Sequence, residues 1–338
     1  MDSGADLLMF GMGERSVVEI ADAMDAGIHI KDITYVPGTC YLTHSLEEVA
    51  DVEEIPSFET VCTDKDAYGR AFLRQQQETD GIRGKRLAQK HGASYVVVNP
   101  PSAPLNTREM DEVYALPYTR KPHPSYTQHI PAIDEVSFSI TSCRGCFGAC
   151  SFCALTYHQG RTIQVRSHDS ILEEAEAITH QEGFKGYIHD VGGPTANFRE
   201  PSCKDQLKRG VCKNRQCLSP KCPQLEVDHR DYLALLRKVR QVPHVKKVFV
   251  RSGLRYDYIM YDKDGTFFKE LVQHHVSGQL KVAPEHVSQR VLRLMGKPHH
   301  ELYDRFVERY KAINRRLGKE QYIVPYFMSS HPGSRLED

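Results

Sequence analysis

The sequence predicts an α/β protein: a partial (β/α) barrel preceded by a small, Rossmann-like α/β domain. Short apolar segments alternate with amphipathic segments along its 338 residues. Strands separated by helices favour parallel βαβ units, and five such strands in the second part of the chain predict an open or partial barrel. The proline- and tyrosine-rich segment PYTRKPHPSY, residues 117–126, indicates a linker. We therefore place a domain boundary near residue 125.

The N-terminal domain is predicted to span residues 1–125. Its apolar segments DLLMF and SYVVV have the length and composition of buried strands, and the glycines of FGMGER indicate a tight turn after the first. The expected elements are a strand at Asp6–Phe10, a helix at Glu14–Asp25, a long polar helix around Asp66–His91 and a strand at Ser94–Pro101.

Residues 126–338 repeat the order strand, then helix. Strands are expected at Glu135–Thr141, Lys185–Val191, Lys246–Arg251, Gln279–Ala283 and Tyr322–Met328. Helices are expected near Ser170–Gln181, His229–Gln241, Gly265–His275, Val287–Met295 and Glu301–Arg316. In folds of this kind the chemistry gathers at the C-terminal ends of the strands. A cysteine-rich loop directly follows the first of these strands, where an active site is expected.

Composition narrows the class of protein. Lys+Arg and Asp+Glu both number 44, so no overall charge favours nucleic acid or an anionic membrane. No apolar run approaches the roughly 20 residues that cross a bilayer, and the N-terminus lacks the features of a signal peptide. We expect a cytoplasmic protein, in which clustered cysteines are more often metal ligands or catalysts than disulfides.

The segment RGCFGACSFC places Cys146, Cys150 and Cys153 in C-x3-C-x2-C spacing. Cys143 adds a second C-x2-C pair, but only three residues separate the pairs, which is tight for a zinc ribbon. A compact iron–sulfur cluster suits such a loop, because its small residues let the backbone approach closely. Three ligands leave one iron open, as catalytic metals require. Cys143 as a fourth ligand, in a non-catalytic iron–sulfur or zinc protein, is the alternative.

The cysteine run resembles the signature of the radical S-adenosylmethionine (SAM) superfamily. Together with QVRS, LKVAPEH, FGMGER and VVVNPP, it resembles the YgiQ-like family over nearly the whole chain. The resemblance implies a [4Fe–4S] cluster on Cys146, Cys150 and Cys153, with SAM on the open iron. It also implies an enzyme that reductively cleaves SAM to a 5′-deoxyadenosyl radical, which abstracts hydrogen from an unknown substrate. An electron donor such as flavodoxin or ferredoxin is implied as partner. The family pattern does not require Cys143.

The resemblance also implies a SAM site at the strand ends. HDVGGPTAN ends a strand where superfamily members carry a glycine-rich motif for the SAM amino group, and VFVRSGLRYD and LKVAPEH end two others. Arginine at such a position suits the SAM carboxylate. The cofactor-binding residues expected are Gly192, Gly193, Pro194, Thr195, Arg251, Ser252, Arg255 and Glu285.

A Cys-rich insertion, residues 199–224, interrupts the strand–helix order. Cys203, Cys212, Cys217 and Cys222 follow C-x8-C-x4-C-x4-C spacing. Four thiolate ligands would leave no open coordination position on a bound metal or cluster. We therefore expect zinc or an auxiliary iron–sulfur cluster there, with a structural or electron-relaying role.

Two further expectations concern the class of reaction and the length of the chain. An RNA-modifying relative of methylthiotransferase type is an alternative, but the balanced charge and the lack of a recognisable RNA-binding module argue against it. The N-terminal domain carries no D-x-H-x-x-G motif, so cobalamin is not expected. The superfamily core usually has six βα units, so a chain that ends after the fifth is expected to be truncated or unusually short.

Overall fold

The computed structural model describes residues 2–214 and 216–338. They form two compact units. The first contains residues 2–104, 153–162 and 204–214, and the second contains 105–152, 163–203 and 216–338. The division near Pro104 precedes the boundary we predict near residue 125. Among the described helices, none combines the length and apolar character that crossing a membrane requires.

The strands and helices follow in chain order. The strands are β1 (Leu7–Met9), β2 (Thr39–Thr43), β3 (Val52–Ile55), β4 (Arg86–His91), β5 (Ser94–Val98), β6 (Ser139–Thr141), β7 (Cys143–Arg144), β8 (Gln164–Val165), β9 (Tyr187–Ile188), β10 (Asp190–Gly192), β11 (Lys247–Val248), β12 (Gln279–Glu285) and β13 (Tyr322–Phe327). The helices are α1 (Glu14–Asp25), α2 (Phe58–Thr63), α3 (Lys65–Gln77), α4 (Thr107–Tyr114), α5 (Pro131–Val136), α6 (Leu155–Gln159), α7 (His168–Thr179), α8 (Gln206–Arg209), α9 (Arg230–Val239), α10 (Tyr256–Tyr261), α11 (Thr266–Glu270), α12 (Gln289–Met295) and α13 (His300–Leu317). A 3₁₀ turn, Ile30–Asp32, follows α1, and a π-helical turn, Leu271–His275, continues α11.

The first unit is built on a mixed sheet with strand order β1-β2-β5-β4-β3. Its pairs β1/β2, β2/β5 and β4/β5 are antiparallel, and β3/β4 is parallel. A Rossmann sheet is mostly parallel, so the prediction of a Rossmann-like domain is wrong. The difference arises from β4 and β5, which pair directly as a hairpin instead of being joined through a crossover helix.

The long helix predicted around Asp66–His91 is also corrected. Helix α3 ends at Gln77, and the polar segment Arg86–His91 forms strand β4. The hairpin turn begins at Gly92, whose φ of 58° lies in the left-handed region that glycine adopts readily. The helix Glu14–Asp25 is confirmed with the same bounds, and the two apolar strands are confirmed as β1 and β5. The expected burial of the first strand is wrong, because Leu8 and Met9 are 45% and 47% exposed.

Parallel strand pairs dominate the second unit. Strand β6 pairs with β10, β9 with β11, and β12 with β13, all in parallel. A single parallel bridge between Leu254 and Val282 connects the segment after β11 with β12. The prediction of parallel βαβ units is therefore confirmed. The helices between these strands are confirmed as α7, α9, α11, α12 and α13, with ends shifted by a few residues.

Two predicted strands of the second unit differ in detail. Residues 131–136 form helix α5, which Pro131 starts as its first residue, so the strand expected at Glu135–Thr141 is limited to β6. The strand expected at Lys185–Val191 is divided into β9 and β10. At the division, the backbone N–H of His189 donates to the carbonyl of Phe138.

The main core of the second unit lies between the strands and the apolar faces of the helices. It includes Ile140, Val191 and Val248 from the strands, and Leu236 and Phe306 from helices α9 and α13. These five side chains are between 0% and 1% exposed. The core therefore fixes the strand ends that carry the predicted site.

Candidate functional site

The cysteine loop follows β7 and rests on a layer of aromatic rings. Phe147 stacks on Phe198 with ring centroids 3.8 Å apart, and Tyr258 meets both rings edge-on. The backbone N–H of Ser151 donates to the carbonyl of Met295 at 3.0 Å. These contacts hold both the first part of the loop and its end.

The three predicted cluster ligands are free thiols. Cys146 is buried and its Sγ lies 3.3 Å from Thr195 Oγ1. Cys150 is half-buried, and its Sγ accepts a hydrogen bond from Arg255 Nη1 at 3.3 Å. Cys153, also half-buried, belongs to the first unit. Unpaired thiols with hydrogen-bond donors beside two of them fit a site for thiolate ligands, because such donors stabilise metal-bound sulfur.

Cys143 has a different environment. It is completely buried, and its Sγ points to the carbonyl oxygen of Thr195 at 3.9 Å. Its backbone carbonyl and its Sγ would each lie 2.7 Å from a Cβ placed on Gly193. Burial raises the pKa of this thiol to about 11. The side chain of Cys143 is thus enclosed by the backbone of Gly193 and Thr195.

The glycine pair ends β10 and meets the end of β11. The N–H groups of Arg251 and Ser252 donate to Asp190 Oδ1 at 2.8 and 3.1 Å, and the Ser252 hydroxyl donates to Oδ2. A Cβ on Gly192 would lie 2.6 Å from the Ser252 Cβ, so this position requires glycine. Burial raises the pKa of Asp190. Sequence reasoning missed Asp190, although it stands two residues before the glycines.

The carbonyl groups of the GGPT segment differ in availability. The Gly192 carbonyl accepts the N–H of Ser142 at 2.7 Å, and the Thr195 carbonyl accepts the N–H of Phe198 at 3.0 Å. Within the described part of the chain, the carbonyls of Gly193 and Pro194 accept no hydrogen bond. Those two carbonyls therefore remain able to accept a hydrogen bond from a ligand.

Arg255 lies beside the cysteine loop, and three of the five N–H donors of its guanidinium bind protein groups. Its guanidinium forms two bonds to Asp257, of 2.9 and 2.5 Å, in addition to the contact with Cys150. Asn197 accepts the Arg255 N–H at 2.9 Å and donates to its carbonyl at 3.2 Å. Burial alone would raise the pKa of Asp257, but the guanidinium holds it below its usual range. Sequence reasoning missed Asp257 and Asn197; only their nearness to Arg255 and the glycine pair signals them.

The remaining predicted cofactor residues lie at other strand ends. Arg251 is exposed, and its Nη1 lies 3.3 Å from Glu135 Oε2. Glu285 has a φ of 71°, an uncommon conformation for a residue other than glycine, and its Oε1 lies 3.7 Å from Lys297 Nζ. Backbone strain of this kind clusters at functional sites. The roles of Arg251 and Glu285 in SAM binding stay predictions.

The second cysteine group is divided between the units. Cys203, Cys217 and Cys222 are half-buried in the second unit, and Cys212 is exposed in the first. In residues 2–214 and 216–338, no three or more His, Cys, Asp or Glu side chains are grouped to hold a metal ion. This finding concerns ligands that converge on one ion, as around zinc, whereas a cubane cluster takes each thiolate on a separate iron. The second site stays a prediction.

Comparison with known proteins places this architecture in a family. Residues 1–139 match the family described as "Radical SAM N-terminal", and residues 140–326 match "Radical SAM superfamily". The chain therefore belongs to the radical SAM superfamily, and this membership confirms the predicted cofactors, a [4Fe–4S] cluster and SAM.

Among its relatives, the chain is 59% identical to a UPF0313 protein of Clostridium botulinum (strain ATCC 19397) over 99% of this chain and 53% of that protein. It is 58% identical to a UPF0313 protein of Clostridium perfringens (strain ATCC 13124) over 100% of this chain and 52% of that protein. It thus spans about half the length of these relatives. Together with the two family matches, they confirm the predicted YgiQ-like radical SAM family.

A solved structure of the radical SAM methyltransferase TsrM from Kitasatospora setae, with tryptophan and a SAM analog bound, is also similar. The match has a TM-score of 0.42 and 14% identity, and covers 95% of this chain and 45% of that chain.

Proposed function

We propose that this chain is the core of a radical SAM enzyme, with its cluster on Cys146, Cys150 and Cys153 at one end of a partial (β/α) barrel. When bound, the cluster supplies the electron that cleaves SAM to a 5′-deoxyadenosyl radical, which abstracts hydrogen from the substrate. The observation that carries the proposal is the set of unpaired thiols at Cys146, Cys150 and Cys153 in C-x3-C-x2-C spacing, with hydrogen-bond donors beside two of them.

The partial barrel is supported by the order of parallel strands. The pairs β6/β10, β9/β11 and β12/β13 follow the chain order, and the N–H of Val250 donates to the carbonyl of His275 at 2.9 Å. The Leu254–Val282 bridge connects the remaining neighbours. In this arrangement the cysteine loop, the glycine pair and Arg255 follow strand ends on one edge, where barrels place their chemistry.

The chain's own residues have distinct roles in this proposal. Gly193 and Pro194 accept the SAM amino group through their carbonyls, and Asp190 holds the neighbouring strand end in place through Ser252. Arg251 and Glu285 contribute polar groups near the SAM carboxylate and ribose. Arg255 donates to Cys150 Sγ and, because Asp257 occupies its other side, it positions the cluster loop instead of binding the SAM carboxylate.

We also propose a reducing, cytoplasmic setting and a low-potential protein donor such as flavodoxin or ferredoxin. Thiolate ligands that must stay reduced favour such a compartment. A comparison of metabolites and of RNA nucleosides between cells with and without the protein would identify the substrate. A change confined to one RNA nucleoside would favour the RNA-modifying alternative.

Anaerobic reconstitution tests the proposal. The cysteine loop is expected to bind a cluster of four irons and four sulfides. SAM is expected to change the EPR spectrum of that reduced cluster and to yield 5′-deoxyadenosine. Cys150→Ala should lose the cluster, whereas the matched variant Cys143→Ala should retain it. Loss of the cluster in Cys143→Ala, or an EPR spectrum unchanged by SAM, would show that the loop holds a closed, non-catalytic centre.

A further inference from the structure

A cavity of about 530 Å³ opens in the second unit. It lies among the turn at residues 218–221, helix α12 and the start of α13, and its volume is typical of small-molecule sites. Four cationic side chains line it, with a single carboxylate: Lys221, Arg293, Lys297, Arg305 and Glu301. The lining is therefore strongly positive, although the whole chain carries no net charge.

Lys297 forms the buried part of the lining. Its side chain is only 4% exposed, and its Nζ lies 3.7 Å from Glu285 Oε1, which is longer than a hydrogen bond. In the described residues its ammonium forms no hydrogen bond. The two groups thus form an ion pair without a hydrogen bond, and the donors of the ammonium remain available to a ligand.

The other three cations are exposed around the cavity. Among the described residues, Lys221, Arg293 and Arg305 form no ion pair, and Lys221 lies over the ring of Tyr261 at 5.0 Å. Arg290, on the same helix as Arg293, instead pairs with Asp338 at 2.8 Å. The cations that face the cavity thus keep their hydrogen-bond donors available to a ligand.

We propose that this cavity binds a small molecule that carries at least two phosphate groups. Four cations against one carboxylate complement a ligand of several negative charges, and arginine binds phosphate oxygens in pairs. The cavity adjoins the proposed reaction centre, because Met295, two residues before Lys297, accepts the N–H of Ser151 in the cysteine loop. The binding itself depends on neither the cluster nor SAM.

Titration calorimetry of the full chain without cluster tests this proposal, with pyrophosphate as the probe at low ionic strength. Wild-type protein is expected to bind pyrophosphate. Lys297→Gln and the double variant Arg293→Gln/Arg305→Gln should each weaken binding by about tenfold or more, as the loss of charge-assisted hydrogen bonds predicts. Arg315→Gln, which removes an exposed arginine elsewhere on α13, should leave the affinity unchanged.

Three results would overturn the proposal: no binding by the wild-type protein, equal affinity in the double variant, or an equal loss in Arg315→Gln. The double variant changes only exposed side chains, so it remains informative if Lys297→Gln does not fold. Binding of a short RNA, but not of pyrophosphate, with the same dependence on Arg293 and Arg305 would replace the small molecule with a nucleic acid. Because the cluster is absent, failure here is distinct from failure of the radical SAM assignment.

Discussion

The variant Asp257→Asn tests how the interior beside the cysteine loop is held together. The side chains of Arg255 and Asp257 are 8% and 0% exposed and form two hydrogen bonds with each other. Asparagine keeps the shape of the aspartate but removes its charge, so the guanidinium stays buried without a counter-charge. Breaking a buried ion pair from one side costs about 3–5 kcal/mol. For a unit the size of the second one, which contains this pair, each kcal/mol lowers Tm by about 2–4 °C, so the expected decrease is about 6–20 °C.

Calorimetric melting of the cluster-free protein measures this decrease. Glu270→Gln is the matched control, because its partner Arg237 is 48% exposed and such a pair contributes less than about 1 kcal/mol. The double variant Arg255→Met/Asp257→Leu should recover much of the lost stability, since it removes both charges. If Asp257→Asn melts within about 2 °C of wild type, water reaches the pair and the account of a dry interior is wrong.

Three further predictions concern glycine packing, pH and the cluster. Gly193→Ala should lower the free energy of unfolding, measured in urea, by about 1–3 kcal/mol, because the new Cβ would lie 2.7 Å from the carbonyl oxygen of Cys143. Gly253→Ala is the control: its Cβ would meet no atom within 4 Å, so the free energy of unfolding should be nearly unchanged. Burial lowers the pKa of His275 to about 4. Between pH 6.5 and 4 this histidine is therefore protonated in the unfolded chain but neutral in the folded one. Its contribution to stability is complete above pH 6.5 and is lost as the pH falls towards 4. That loss should amount to about 3 kcal/mol and be absent in His275→Gln. Arg255→Gln should give the cluster a more negative reduction potential in an EPR-monitored titration. The reason is that it removes a positive charge and a hydrogen bond that stabilise the reduced form. An unchanged potential would count against the contact between Arg255 and Cys150.

The spacing of residues was enough to predict those parts of the fold and the site that depend on neighbours in the chain. The cysteine loop, the glycine pair and helix Glu14–Asp25 are of this kind, because each is defined within a few residues. The parallel strands of the second unit were also predictable, because short apolar segments alternate with amphipathic helices there. Their exact ends were not, since the ends depend on hydrogen bonds with strands far away in the sequence.

Polar segments misled the prediction of the N-terminal sheet. RLAQKH, at Arg86–His91, has few apolar residues and suits an exposed helix, but its backbone pairs with β3 on one side and β5 on the other. Pairing between strands satisfies the hydrogen-bonding N–H and C=O groups of the backbone, whatever side chains the strands carry. The resulting antiparallel hairpin is what makes the sheet differ from a Rossmann fold.

The function of Arg255 depends on partners that sequence reasoning does not bring together. Asp257 is two residues away, but Asn197 and Cys150 are 58 and 105 residues away. From the sequence alone, an arginine at a strand end is expected to bind the SAM carboxylate. In the fold three of its five guanidinium donors bind Asp257 and Cys150, which connects it to the cysteine loop.

The small residues of the cysteine loop are required by these neighbours as well as by a cluster. A Cβ on Gly148 would lie 2.7 Å from Arg255 Nη1, the nitrogen that donates to Cys150. A side chain there would therefore displace the arginine before it affected any bound group. The residues between the cysteines and the residue at position 255 consequently form one packing unit. Transplanting C-x3-C-x2-C alone into another βα loop would reproduce the thiols without the buried donor that holds them.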